Sequence, residues 1–149
     1  MSTASATPSK YDFYAGDGFA GIASPDVSAA ANGDTVTINA TGSFHVAPRK
    51  ASGTGTFVHK AANGTVLATG TFEVERLASF DPFGCGVAEG EPLPPNFCGG
   101  RVVMPVEIVG HPVTGGTEEF DGVLTITCLV GDRVPPGAEE GFNVIVHKA

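Results

Sequence analysis

The sequence predicts an all-β protein: a single-domain antiparallel up-and-down β-barrel of about seven to eight strands with one short helix. Three observations predict it. The 149 residues include 21 Gly and 11 Pro with few Leu or Lys, which disfavours helices. Apolar and polar residues alternate along several segments, as in half-buried strands. Turn signals separate consecutive strands, as in a meander. A β-sandwich is the alternative.

Residues 34–76 are the stretch around which this fold is organised. Alternate positions from Val36 to Val46 are apolar or small, and the positions between them are polar. Successive side chains of a strand point to opposite faces, so one face of this sheet is buried and the other is solvated. Asn63-Gly64 is a hairpin signal, because a type I′ turn needs positive φ at both central residues. Three consecutive antiparallel strands are therefore expected.

Turn positions also predict the register of these strands. A turn centred on residues 63–64 places Phe57 opposite Gly70. A preceding turn centred on Pro48-Arg49 places Ile38 opposite His59. Both turns give the same inward face, which is rich in Gly and Ala. Such a face leaves space inside a barrel, and a small barrel can hold one small ligand.

The first third of the chain is divided into an arm, a first strand within residues 11–23 and a helix. Residues 1–10 are expected to be a flexible N-terminal arm, and residues 11–149 the single barrel domain. Within residues 24–33, Ser24 is a good N-cap, Pro25 suits the first helical position and Gly33 can end a helix. This segment is therefore the predicted short helix.

Residues 78–100 are too long and too rich in Gly and Pro for a plain connection between strands. We expect a loop folded over the mouth of the barrel and held there by its phenylalanines. Cys85 and Cys98 bracket its second half and form a candidate disulfide. In a reducing compartment they would instead be thiols. Cys128 follows an inward alternation and reads as a small buried hydrophobe.

Three further strands are expected, over residues 101–109, 120–131 and 142–147. Pro105 falls on the outward set of the first, which predicts an edge strand or a bulge because proline lacks an N–H group. Apolar residues also occur at outward positions, namely Val103, Val123 and Leu129. These suggest a homo-oligomer contact.

Charge and hydropathy limit the partners. The net charge is −8, and no basic cluster or long apolar run occurs. We therefore expect no nucleic-acid partner and no membrane partner. The N-terminus lacks the features of a secretory signal, so a cytoplasmic location is the simple expectation. A secreted protein whose signal peptide has been removed is the alternative.

The favoured function is binding of a small apolar molecule inside the barrel, with the 78–100 loop over its mouth. No cofactor is expected. No metal is expected either, because the four histidines show no ligand spacing. The predicted ligand-binding residues lie on the inward face and in the loop: Ile38, Phe44, Phe57, His59, Phe72, Phe83 and Phe97.

Two other functions remain open. One is a cofactor-independent cyclase, isomerase or dehydratase, with His59 as acid or base and Tyr14 supplying a phenol. The other is a structural or self-assembling protein. The inferred architecture is similar to that of lipocalins and of barrel cyclases such as allene oxide cyclase. The lipocalin Gly-x-Trp signature is missing because the chain has no Trp. The likeness is one of fold, and a fold hosts many functions.

Overall fold

The computed structural model describes residues 9–16 and 26–148, with the side chains of Asp26 and Lys148 left aside. Almost all of its regular structure is β. The strands are β1 (Lys10–Ala15), β2 (Asp26–Ala29), β3 (Thr35–His45), β4 (Lys50–Lys60), β5 (Val66–Val74), β6 (Ser79–Cys85), β7 (Val87–Ala88), β8 (Glu91–Pro92), β9 (Cys98–Pro112), β10 (Glu118–Cys128) and β11 (Gly141–Lys148).

Nine strands form one antiparallel sheet, in which seven follow the order β1-β3-β4-β5-β9-β10-β11 and the other two, β2 and β6, pair beside this path. β2 continues the line of β1 along β3, and β6 continues the line of β5 along β9. The sheet is strongly curled, so that Cα atoms of β2 and β11 approach within 8 Å. One sheet curled on itself is the predicted barrel-like fold rather than the alternative sandwich.

The register of the meander agrees with the sequence in one hairpin and differs in the other. Phe57 lies opposite Gly70 between β4 and β5, as predicted, and the predicted pairing holds from Gly53 to His59. An irregularity between His59 and Lys60 shifts the pairing by one residue next to the turn. Between β3 and β4, Val36 rather than Ile38 lies opposite His59. The strands extend to His45 and Lys50, so their connection is centred one residue earlier than expected. The pairing therefore shifts by two residues, which leaves every side chain on its predicted face.

The predicted short helix is wrong wherever the structure describes it. Residues 26–29 are strand β2, which pairs with residues 35–38 of β3. Gly33 has φ of 90°, and its N–H donates to the Ala30 carbonyl at 3.0 Å. Asn32-Gly33 thus makes a hairpin turn, and pairing with β3 outweighs the local capping signals. Ser24 and Pro25 lie outside the described residues, as do residues 1–8 of the predicted arm. β1 already begins at Lys10.

β9 is a central strand, although Pro105 predicted an edge or a bulge. It pairs with β10 on one side and with β5 and then β6 on the other. The Pro105 carbonyl accepts a bond from the N–H of Glu75 at 2.9 Å, and in an antiparallel strand a residue's N and O point to the same side. The Pro105 nitrogen therefore faces the gap between the end of β5 at Val74 and the start of β6 at Ser79. The missing N–H of proline costs no hydrogen bond of the sheet there.

Residues 79–85, expected within a loop over the mouth, form strand β6 against residues 98–103 of β9. β7 and β8 follow as a small separate hairpin. Cys85 and Cys98 face each other and are joined by a disulfide, with an S–S distance of 2.02 Å. β6 therefore lies along the first half of β9, at the opposite end of the sheet from Pro112.

The core at this end is aromatic. The ring centroids of Tyr11 and Phe80 lie 4.8 Å apart, as do those of Phe44 and Phe80. Phe83 is 1% exposed, and its carbonyl accepts a bond from the N–H of Arg133 at 2.8 Å. These contacts fill the barrel beside β6, which we call the closed end. Within the described residues, no helix is long and apolar enough to cross a membrane.

Candidate functional site

A cavity of about 370 Å³ lies inside the curl of the sheet. It is surrounded by the inward faces of β3, β4, β5, β9, β10 and β11. Its floor is formed by buried side chains that include Ile38, Phe72 and Leu124. The full lining is Val36, Ile38, Phe57, His59, Ala68, Phe72, Val106, Ile108, Gly110, Pro112, Glu118, Phe120, Leu124, Phe142, Val144 and Val146.

The cavity stays open because of how large and small residues pair across the strands. A Cβ at Gly70 would meet the ring of Phe57, and one at Gly55 would meet the ring of Phe72. Each ring therefore covers a neighbouring glycine along the wall instead of crossing the space inside. At Gly110, by contrast, the nearest atoms to an added Cβ are 3.7 Å away. The Gly-rich inward face is thus one wall of a cavity.

The polar groups of the cavity lie at one rim. His59, next to the end of β4, and Glu118, the first residue of β10, are the only polar side chains among the described lining residues. The registers align Val36, His59, Ala68 and Pro112 across four neighbouring strands. We call this rim the mouth. A molecule in the cavity would have apolar contacts over its body and polar contacts at this end only.

His59 is held by a carboxylate. Its Nε2 atom lies 3.0 Å from Oδ2 of Asp34, and the side chains are 36% and 23% exposed. An ionised carboxylate can only accept, so Nε2 carries the hydrogen. In the neutral imidazole the lone pair is then on Nδ1. This tautomer suits a base or an acceptor at Nδ1.

The β2–β3 turn places Asp34. Its N–H donates to Oδ1 of Asn32 at 3.0 Å, and its carbonyl accepts from the N–H of Ala30 at 2.8 Å. These bonds hold the carboxylate one residue before β3 begins. Val36, two residues later, lies opposite His59, so Asp34 comes within reach of the imidazole. The hairpin that replaced the predicted helix therefore builds one side of the mouth.

Four of the predicted ligand-binding residues line the cavity: Ile38, Phe57, His59 and Phe72. Three others do not. Phe44 and Phe83 are buried at the closed end, and Phe97 precedes the disulfide at Cys98. The expected loop of residues 78–100 does not cover the mouth. None of its residues lines the cavity, and residues 79–85 pair with the far half of β9.

Tyr14 does not reach the mouth either. Strand β1 alternates, so that Phe13 and Ala15 are buried whereas Tyr14 is 47% exposed on the outer face. A phenol from Tyr14 is therefore not available to a molecule in the cavity. Tyr11 does point inward, but its ring stacks on Phe44 at the closed end, with centroids 5.2 Å apart.

Sequence reasoning missed Asp34 and Glu118 at the mouth, and Phe120, Phe142 and Val144 in the lining. The three apolar residues follow the inward alternation of β10 and β11, so the pattern contained them. Predicting that Asp34 lies beside His59 required the correct β3–β4 register. The predicted register was wrong by two residues and placed Ile38 instead of Val36 opposite His59.

No group of three His, Cys, Asp or Glu side chains within residues 9–16 and 26–148 is arranged to hold a metal ion. Comparison with protein-family models, with curated proteins and with solved structures found no match to this chain.

Proposed function

We propose that this protein binds a small, largely apolar molecule in the cavity inside the curled sheet. The observation that carries the proposal is the cavity itself, about 370 Å³ with an apolar lining and a polar rim. Pockets for small ligands are typically concave and apolar, with a few polar groups that fix orientation. At about 30 Å³ for each water-sized group, this volume holds roughly a dozen non-hydrogen atoms.

Apolar burial supplies the driving force. Each methylene taken out of water contributes about 0.8 kcal/mol. A chain of roughly ten carbons therefore offers several kcal/mol before the entropic costs of binding are subtracted. Decan-1-ol is a suitable probe, because its alkyl chain matches the apolar body of the cavity and its hydroxyl can hydrogen-bond at the mouth.

Gly110 provides a sharp test, because it lines the cavity and a Cβ added there would meet no neighbour closer than 3.7 Å. Gly110→Leu should reduce decan-1-ol affinity at least tenfold in isothermal titration calorimetry while the protein stays folded by circular dichroism. Val109→Leu, one residue away on the outer face, is the matched control and should bind as the parent does. The proposal fails if the parent protein does not bind decan-1-ol, or if Gly110→Leu binds it equally well.

The His59–Asp34 pair supports a second candidate, a cofactor-independent proton-transfer enzyme. A base held by a carboxylate beside a shaped apolar cavity has the parts that isomerisation or dehydration requires. In an isomerisation, His59 would take a proton at Nδ1 from an acidic C–H bond of the bound molecule and return it at another position. In a dehydration it would return the same proton to the departing hydroxyl group, which leaves as water. Asp34 would act as a positioning residue by fixing the tautomer.

Hydrogen–deuterium exchange tests this candidate without knowledge of the substrate. Octan-2-one incubated with the protein in D₂O should gain deuterium next to its carbonyl faster than in buffer, as read by mass spectrometry. Octan-2-one in buffer alone gives the background. His59→Ala should abolish the acceleration, and Asp34→Asn should reduce it. Equal exchange with the parent and with His59→Ala would exclude His59 as the base.

A further inference from the structure

The mouth of the cavity has a definite charge. Glu118 is the one carboxylate among the described side chains that line the cavity, and no described Lys or Arg side chain lines it. Asp34 lies directly behind His59, with Nε2 and Oδ2 3.0 Å apart. If His59 takes up a proton, the Asp34 carboxylate balances its charge. Among the side chains that the structure describes, those at the mouth therefore sum to a net negative charge whichever form the imidazole takes.

Charged groups on the outer face do not reverse this sign. Lys60 follows His59 and is exposed on the outward set of β4, and Glu119 is exposed on the outward set of β10. The outward positions next to His59 and Glu118 therefore carry one charge of each sign. The protein as a whole carries a net charge of −8, so its average field also repels anions.

We infer that the cavity selects amphiphiles with a cationic head group, such as primary alkylamines, over fatty-acid-like carboxylates. This inference rests on the proposed function, because it assigns the apolar tail to the cavity. The alkyl chain lies among Ile38, Phe72 and Leu124, and the ammonium group lies at the mouth. There it donates hydrogen bonds to the Glu118 carboxylate, and such charge-assisted bonds are stronger than neutral ones.

A carboxylate head group meets the opposite conditions. In the same pose it would lie beside Glu118, where two like charges repel each other. Nε2 of His59 does not offer it a hydrogen bond, because this atom already bonds to Asp34. A neutral alcohol avoids the repulsion but lacks the charge-assisted bond, so its affinity should lie between those of the amine and the carboxylate.

Three probes with the same ten-carbon chain separate the contributions of tail and head: decan-1-amine, decan-1-ol and decanoate. Calorimetry at pH 7 and low ionic strength, below the aggregation threshold of each probe, should give the order amine, alcohol, carboxylate. We expect the amine to bind at least tenfold more tightly than decanoate, a difference of about 1.4 kcal/mol or more. Added salt should narrow the gap, because rim charges are screened.

Glu118→Gln keeps the shape of the side chain and removes its charge. It should weaken decan-1-amine roughly fivefold, as expected for one solvent-accessible ion pair. The affinity for decan-1-ol should stay the same. Glu119→Gln removes an equal charge from the adjacent outward position and is the matched control, with little expected effect on either probe.

The outcomes separate the two proposals. If the three probes bind equally, or if decanoate binds best, selection of a cationic head group is wrong while binding in the cavity stands. The same holds if Glu118→Gln and Glu119→Gln change the amine affinity equally. If none of the three probes binds, the proposed function fails and this inference fails with it.

Discussion

The ring of Phe57 occupies the space that a side chain at Gly70 would need. A Cβ built on Gly70 would lie 2.5 Å from Cε1 of Phe57 and would also overlap the carbonyl oxygen of Val109. Gly110 lies directly opposite Gly70 in the β5–β9 ladder, yet a Cβ there would find its nearest neighbours at 3.7 Å. Two paired glycines therefore have opposite roles: one accommodates a ring, and the other leaves the cavity open.

Gly70→Ala should destabilise the fold by about 2 kcal/mol or more, because the added methyl group displaces a ring or the backbone of β9. Gly110→Ala should be neutral or stabilise the fold by up to about 1 kcal/mol, since alanine reduces the entropy of the unfolded chain. Urea unfolding of both variants measures the difference. Equal destabilisation by the two substitutions would contradict this account of the cavity wall.

The alternation of the meander allowed its inward face to be predicted, because burial of one sheet face permits only one phase of a period-two pattern. Asn63-Gly64 also determined the β4–β5 register. The β3–β4 register was missed by two residues, since Pro48-Arg49 lies in a connection of residues 46–49 where several turn centres fit the pattern equally well. A register shift of two residues leaves each side chain on its predicted face but changes which residues lie opposite each other. The contact between Asp34 and His59 was therefore not predicted.

Other errors arose where pairing with another strand overrode a local signal. Ser24, Pro25 and Gly33 resemble the caps of a helix, but residues 26–29 gain a ladder with β3 that local propensity does not reveal. Pro105 suggested an edge because nothing in the sequence shows that β5 ends and β6 begins beside it. Both errors depended on which strands become neighbours, and alternation along one strand does not contain that information.

The phenol of Tyr11 predicts a loss of stability in alkali. Burial raises the pKa of Tyr11 above its ordinary value of 10.0, and the positive charge of Arg133 offsets part of that rise. The folded state therefore holds this proton more tightly than the unfolded state does. Above about pH 10 the unfolded chain loses the proton first, so the free energy of unfolding falls as pH rises toward the folded-state pKa.

The chain has two tyrosines, so in the Tyr14→Phe variant the only phenol is that of Tyr11. The ionisation of Tyr11 can then be measured on its own. Absorbance near 295 nm should show ionisation of Tyr11 above pH 10 in the folded protein and at lower pH in urea. Tyr11→Phe keeps the ring contacts with Phe44 and Phe80 and should flatten the corresponding part of the stability profile. A folded-state midpoint at or below the urea value would show that burial does not control this phenol.

The Cys85–Cys98 disulfide should stabilise the closed end, because it closes a loop with a sequence separation of 13. In the chain-entropy view such a crosslink contributes about 3 kcal/mol. Replacing both cysteines by serine should lower the urea midpoint accordingly, whereas Cys128→Ser provides a comparison outside the bridge. A thiol assay in denaturant should find one thiol before reduction and three after it. Three thiols before reduction would mean that the bridge is absent from the protein.

The contact between His59 and Asp34 predicts a single imidazole tautomer. Because the carboxylate oxygen accepts from Nε2, neutral His59 should carry its hydrogen there and leave Nδ1 unprotonated. Long-range proton–nitrogen correlation spectra, recorded at a pH where the ring is neutral, distinguish the two nitrogens by their shifts. Asp34→Ala removes the acceptor and should give a mixture of tautomers at His59, while the signals of His111 on the outer face stay the same. A single Nδ1–H tautomer in the parent protein would contradict the geometry on which proton transfer at the mouth depends.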